Sequence, residues 1–156
     1  MASSLSHNAY RLMDASLERV EASRRAREAR DPVMCIYLGG LAVECLLQAI
    51  VHLDTQKHDA GHNLARWLGR CRASFQDAVK AKELRASWNH LCAVWRNEYR
   101  YYSKSALSGQ LRKMGRTRGI RGEQESQLNE AAKRFLESVV HVHNKGLAAW
   151  ANYTKK

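Results

Sequence analysis

A chain of 156 residues, with 45% hydrophobic and 26% charged residues, is long enough to bury the core of one domain, and its composition excludes a disordered protein. The formal net charge of +11 indicates an acidic partner: nucleic acid first, then an anionic membrane or an acidic protein. The four cysteines lack Cys-x-x-Cys spacing and lie in apolar helical patterns, and no signal peptide is apparent, so we expect buried free thiols in a cytoplasmic protein.

Two long helices are predicted in the first third of the chain. The first runs from about residue 6 to residue 30 and ends in the basic sequence RRAREAR. The second covers residues 32–53 and begins at Asp31-Pro32, an N-cap residue followed by proline at the first helical position. It is apolar nearly all round, which predicts a central helix surrounded by neighbours. A membrane span is disfavoured, because Glu44 near its middle would cost about 2.5–3.5 kcal/mol in a bilayer.

The remaining sequence predicts three more helices and no strand. The third helix covers residues 63–81. The fourth has an apolar stripe at helical spacing, formed by Leu84, Trp88, Leu91, Trp95, Tyr99 and Tyr102. A glycine-rich basic connection over residues 105–122 leads to the fifth helix at residues 123–150. We therefore predict that residues 1–156 form a single all-α bundle of about five helices.

The order of these features resembles the HEPN family (higher eukaryotes and prokaryotes nucleotide-binding domain). Three short motifs, within a likeness that spans about residues 6–150, carry the resemblance: Ala42-Val43-Glu44 in the second helix, His62-Asn63-Leu64 at the start of the third, and Arg100-Tyr101 near the end of the fourth. The resemblance implies a helical bundle that usually dimerises and that associates with RNA or nucleotides, without a cofactor. Many members are metal-independent ribonucleases of toxin–antitoxin and anti-phage systems, whereas others are binding or partner modules, some beside a nucleotidyltransferase.

The ribonuclease motif implied by the family is an arginine followed, after four to six residues, by a histidine. Arg96-Asn97 begins such a motif, but the histidine positions hold Tyr101, Tyr102 and Ser103. Tyrosine is a poor proton shuttle at neutral pH, since its ordinary pKa is about 10. Arg96, Arg100 and Tyr101 therefore look like the phosphate-binding half of a degenerate site.

Two other arginine–histidine pairs have the required spacing, namely Arg85 with His90 and Arg134 with His141. In a chain this rich in both residues, roughly two matches are expected by chance, so the spacing alone carries little information. Arg134 and His141 would share one face of an ideal helix, about 10.5 Å apart along its axis. They remain the candidate catalytic pair if the protein is a nuclease.

Three further features carry binding hypotheses. The stretch 99–122 contains no Asp or Glu and is predicted to contact phosphates through Lys104, Arg112, Lys113, Arg116, Arg118 and Arg121; the alternative is a solvated, disordered loop. Tyr101 is the best candidate for base stacking. Glu44 is expected to form a buried ion pair, with Arg96 or Arg100 as partner. The histidines and aspartates of residues 52–62 are plausible metal ligands, but they lie in a glycine-containing link. We therefore favour a solvated loop between helices over a metal site, and no metal is expected.

The sequence thus favours a non-catalytic, RNA- or nucleotide-associated, dimeric and cytoplasmic protein that acts in prokaryotic defence or in a toxin–antitoxin system. The first alternative is a metal-independent endoribonuclease toxin. The second is a protein-interaction module whose charge serves an acidic partner and never meets RNA. The biological setting follows from the resemblance alone.

Overall fold

The computed structural model describes the backbone of residues 2–55 and 61–155 and the side chains of residues 7–55 and 61–155. Within these residues the chain is helical and contains no strand, which confirms the predicted all-α bundle. The elements are α1 (Ala2–Glu28), α2 (Pro32–Asp54), α3 (Leu64–Leu68), α4 (Ala73–Lys80), α5 (Lys82–Val94), a 3₁₀ helix (Asn97–Tyr101), α6 (Lys104–Lys113) and α7 (Gln124–Thr154). The described part has seven α-helices, so the predicted number of about five was too low.

Helices α1 and α2 form a hairpin whose turn agrees with the sequence prediction. Arg30 adopts a left-handed conformation with φ of 55°, and the Asp31 N–H donates to the Ala26 carbonyl at 2.8 Å. The Asp31 side chain then accepts a hydrogen bond from the Met34 N–H at 3.1 Å, which caps α2 in front of Pro32. The predicted start of α2 is therefore confirmed.

Helix α2 is the central helix of the bundle, with α1, α3, α7 and the 3₁₀ helix packed around it. It is long and apolar enough to cross a membrane, but 72% of its most apolar window is buried inside the fold, as in the core helix of a soluble protein. Small residues let its neighbours approach closely: Ser16 and Ser23 of α1 donate to the Ala42 and Cys35 carbonyls, each at 2.7 Å.

The single third helix predicted for residues 63–81 was wrong, because α3 ends at Leu68 and α4 begins at Ala73. The turn between them buries Cys71 and is held by Gln76, whose side chain donates to the Cys71 carbonyl at 2.8 Å. Arg72 also bonds both carboxylate oxygens of Asp54, at 2.6 and 2.8 Å, which ties this turn to the end of α2.

The predicted fourth helix was too long, because α5 ends at Val94 and Trp95 is extended, with ψ of 136°. The Trp95 ring fills the space over Gly40: a Cβ atom at Gly40 would lie 2.0 Å from that ring. Its Nε1–H donates to the Tyr37 carbonyl at 3.1 Å. The chain then continues as the 3₁₀ helix, in which Tyr99 is buried and donates to the Val94 carbonyl at 2.6 Å.

Residues 105–122 were predicted to form an irregular, glycine-rich connection. This was wrong for the first half of the stretch, which belongs to helix α6. Ser103 caps α6 by accepting from the Ala106 N–H at 3.1 Å, and Leu107 and Leu111 are buried one turn apart. The irregular part is confined to the turn that follows α6, where Gly115, Gly119 and Gly122 have positive φ angles. Helix α7 matches the predicted fifth helix to within a few residues.

Candidate functional site

The end of α5 and the start of α3 enclose a polar pocket of about 330 Å³ beside the central helix. One wall is formed by the beginning of α3, with His62 and Asn63 just before it. The other is formed by Cys92 at the end of α5 and by Trp95, Arg96 and Asn97 after it. The break in the helix at Val94 therefore brings Arg96 to the same pocket as His62.

His62 is held in this pocket by Glu44, which projects from the middle of α2 and is 2% exposed. The Nδ1 atom of His62 lies 3.1 and 3.2 Å from the two carboxylate oxygens of Glu44. Gln48, one turn along α2, donates to the same carboxylate at 2.9 Å. Glu44 is thus buried and paired, as expected, but the prediction of Arg96 or Arg100 as its partner was wrong. Both arginines follow the end of α5 and are exposed.

Burial raises the pKa of the Glu44 carboxyl, and the charge and hydrogen bond of His62 together with Gln48 oppose this effect. Cys92 also lines the pocket. Burial raises the pKa of its thiol to about 11, so Cys92 is protonated at neutral pH and is a poor nucleophile.

Arg96 is anchored by one end of its guanidinium group. Its Nη1 donates to the carbonyls of Cys92 and Trp95, at 3.2 and 2.8 Å. Among the described residues, its Nε and Nη2 have no hydrogen-bond partner, and the buried Oδ1 of the neighbouring Asn97 also lacks a donor. The pocket can therefore present a guanidinium group and an imidazole to one anionic ligand.

Arg100 and Tyr101 lie outside this pocket, at the end of the 3₁₀ helix. Tyr101 is 77% exposed, and the Arg100 guanidinium lies over its ring, 4.7 Å from the centroid. The two neighbouring tyrosines differ from it: Tyr99 is buried, and Tyr102 is half-buried against Tyr99. Tyr101 is therefore the aromatic side chain of this stretch that faces solvent.

The histidines that matched the spacing motif lie elsewhere in the bundle. His90 of α5 is hydrogen-bonded to Ser138 of α7 at 2.9 Å, and His141 of α7 to Ser87 of α5 at 3.1 Å. Arg134 lies 3.4 Å from Glu130 in an ion pair, and His141 lines a groove between α1 and α7 that Arg134 does not line. The structure does not place either predicted histidine in the pocket with Arg96.

The predicted phosphate-binding residues fall on α6 and on the turn after it. Lys104 begins α6 and pairs with Glu125 at 3.3 Å, whereas Arg112 and Lys113 are exposed in its last turn. Arg116 is half-buried, and its Nε has no hydrogen-bond partner among the described residues. Arg118 and Arg121 are exposed on the glycine-containing turn.

A metal site finds no support in the part of the chain that the structure describes. No three His, Cys, Asp or Glu side chains there are grouped closely enough to hold an ion. In the stretch 52–62, Asp54 pairs with Arg72 and His62 with Glu44. His58 and Asp59 lie outside the described residues.

Comparison of the chain with family models, with curated proteins and with solved structures gives no match.

The pairing of His62 with Glu44 was not predicted from the sequence, which placed His62 only at the start of a helix. The sequence did indicate that a buried Glu44 needs a polar partner. Arg96 or Arg100 was expected in that role, and His62 was not considered.

Proposed function

We propose that this protein is an HEPN-like, RNA-binding helical protein that holds the phosphate backbone by charge and stacks a base on Tyr101. The observation that carries the proposal is the exposed Tyr101 ring with the Arg100 guanidinium over it. Stacking of a base on an aromatic ring contributes about 1–3 kcal/mol and tolerates any base. The adjacent guanidinium supplies both a phosphate ligand and a cation–π contact.

The surroundings of Tyr101 favour a negatively charged, single-stranded ligand. The sequence from residue 99 to residue 122 contains seven Lys and Arg residues and no carboxylate. Exposed members of this set are Arg112 and Lys113 in the last turn of α6 and Arg118 and Arg121 after it. Contacts of this kind bind the backbone of RNA without reading its sequence.

Binding to a labelled single-stranded RNA, measured by fluorescence anisotropy at physiological salt, tests the proposal. We expect Tyr101→Ala to weaken binding about 5- to 150-fold, because one stacked base is lost. Tyr10→Ala is the matched control, since Tyr10 is 48% exposed on α1 and packs edge-on against Trp150. Equal effects of the two substitutions would contradict a stacking role, and failure of the wild type to bind would favour an acidic protein partner instead.

The resemblance to the HEPN family adds a setting to this proposal. It implies a homodimer in the cytoplasm of a prokaryote, in a defence or toxin–antitoxin system, with a protein such as a nucleotidyltransferase as a further partner. Size-exclusion chromatography with light scattering tests the dimer directly.

A second candidate function is that of a metal-independent endoribonuclease. The observation in its favour is that Arg96 and His62 line the same pocket. Cleavage of RNA that persists in EDTA would separate this activity from binding alone.

A further inference from the structure

We propose that two copies of this chain pair through the exposed face of α1 around Leu17, with the two α1 helices antiparallel. The inference rests on the homodimer that the proposed function includes, for which the resemblance assigns no surface. It names the surface on which the copies meet and the side chain at the centre of that surface.

Leu17 is a large hydrophobic side chain that the fold of one copy leaves uncovered. In the part of the chain that the structure describes, three large hydrophobic residues are exposed: Tyr10, Leu17 and Tyr101. Tyr10 and Leu17 are 48% and 43% exposed and lie seven residues apart on α1. Seven residues are close to two helical turns, so both side chains face the same way. Apolar residues at this spacing are the ones that a helical partner packed along α1 contacts.

Leu17 forms a ridge between two hollows of the surface. One hollow, of about 160 Å³, lies between α1 and α7, and its walls include Leu17, Val140 and Leu147. The other, of about 550 Å³, is lined by α1 residues alone, from Leu17 to Arg25. Helices pack by placing the ridge of one in the groove of the next. A ridge with a hollow on either side can therefore pack against a copy of itself.

Helix α7 extends the apolar character of this face on one side. The Tyr10 ring packs edge-on against the ring of Trp150, with the centroids 5.2 Å apart. Trp150, Leu147 and Val140 are each half-buried, so part of their apolar surface remains open to solvent. A helix that covered Leu17 and Tyr10 would also cover this rim.

The charges around Leu17 favour a second copy as the partner. With a net charge of +11, two copies repel each other over most of their surface. Residues 14–25 contain three Arg and three carboxylates and add no net charge. In a two-fold contact a surface meets itself, which interleaved charges of both signs allow without net repulsion. An acidic protein would instead be attracted to residues 99–122, which carry seven cations and no carboxylate.

The direction of the two helices follows from the same charges. In a parallel pair each residue faces its own copy, so every Arg would face an Arg. In an antiparallel pair centred on Leu17, residues equally far before and after Leu17 face each other. Tyr10 then faces Arg24, which is exposed and seven residues beyond Leu17. A guanidinium over this ring adds a cation–π contact on each side of Leu17.

Sedimentation equilibrium of the full chain at increasing concentrations measures the dimer dissociation constant. We expect Leu17→Glu to weaken dimerisation at least about 30-fold, because the new carboxylate at the centre of the contact faces its own copy. Glutamate is a good helix former, so helical circular dichroism and thermal unfolding should stay close to those of the wild type. Tyr101→Ala, which removes an exposed aromatic ring outside α1, is the matched control and should dimerise normally.

Oxidative cross-linking tests the antiparallel arrangement directly. Leu17→Cys should form a disulfide-linked dimer, because two-fold symmetry brings its two copies within the roughly 4.4–6.8 Å between Cα atoms that a disulfide requires. Tyr101→Cys should remain monomeric on a non-reducing gel. The wild type gives the background, since its four cysteines are buried or half-buried. Absence of the cross-link in Leu17→Cys would contradict the antiparallel pairing.

RNA binding measured in parallel separates this inference from the proposed function. A wild type that stays monomeric would overturn the inference and leave RNA binding standing. A dimer that Leu17→Glu does not weaken would also overturn it, because the copies would then meet on another face. If the wild type fails to bind RNA but Leu17→Glu abolishes its dimer, the inference holds and the proposed RNA-binding function is rejected.

Discussion

His143 is a buried histidine whose position makes the stability of the bundle depend on pH. It is 3% exposed on α7, and its Nε2 lies 2.8 Å from the Ser16 hydroxyl of α1. Burial is the main cause that lowers its pKa to about 4, and the positive charge of Arg24 acts in the same direction. The folded chain thus keeps His143 neutral in a pH range where the unfolded chain protonates it.

Because the unfolded state binds the extra proton, the free energy of unfolding is unaffected by His143 above about pH 6.5. It decreases as the pH falls from there toward 4. At 1.36 kcal/mol per pKa unit, we expect His143 alone to remove about 2–3 kcal/mol by pH 4.5. Urea unfolding at pH 7.5 and 4.5 measures the loss. His143→Gln should show a smaller loss than the wild type, and an equal loss in both would mean that other groups control it.

The Glu44 pair shows how far single residues could be predicted from the sequence. A carboxylate amid apolar helical residues predicted burial and a polar partner, and the structure bears out both. The identity of the partner could not be predicted, because it depends on which loop returns to the middle of α2. His62 reaches Glu44 from the start of α3, whereas Arg96 comes only to the same pocket.

At the scale of elements, the starts of α2 and α7 were predictable, whereas the breaks after α3 and α5 were not. The apolar stripe from Leu84 to Tyr102 keeps helical spacing across the break at Trp95, so periodicity gives no sign of it. The break results from a tertiary contact: the Trp95 ring lies where a side chain at Gly40 would be. Such a contact joins residues 55 positions apart and leaves no local pattern.

The contact between Gly40 and Trp95 predicts the effect of adding one methyl group to α2. In Gly40→Ala the new Cβ would lie 2.0–2.2 Å from three atoms of the Trp95 ring, so the ring or the helix must move. We expect a loss of about 1–3 kcal/mol or more in the free energy of unfolding, as for other overpacked cores.

Gly109→Ala in α6 is the matched control for this substitution. A Cβ atom there meets nothing within 4 Å, and alanine favours the helix. We therefore expect a gain of about 0.5–1 kcal/mol. Chemical unfolding of both variants gives the comparison, and a neutral Gly40→Ala would show that Trp95 packs less tightly than the structure indicates.

At the scale of the whole molecule, the question is whether the net charge of +11 acts diffusely or through one basic surface. A diffuse field attracts RNA in proportion to the total charge. A localised surface releases counterions only where side chains contact phosphates, so the position of each charge matters. The exposed cations at the end of α6 and in the following turn make the second case the expected one.

Two double variants that remove the same charge from different places separate these cases. Arg112→Gln/Lys113→Gln neutralises the end of α6, and Arg11→Gln/Arg25→Gln neutralises two exposed positions on α1. For single-stranded RNA, each lost phosphate contact should reduce the slope of log K against log salt concentration by about 0.7. We expect a reduction of up to about 1.4 for the α6 variant, with little change for the α1 variant. Equal reductions would mean that RNA is attracted by the overall charge and that α6 is not part of its binding surface.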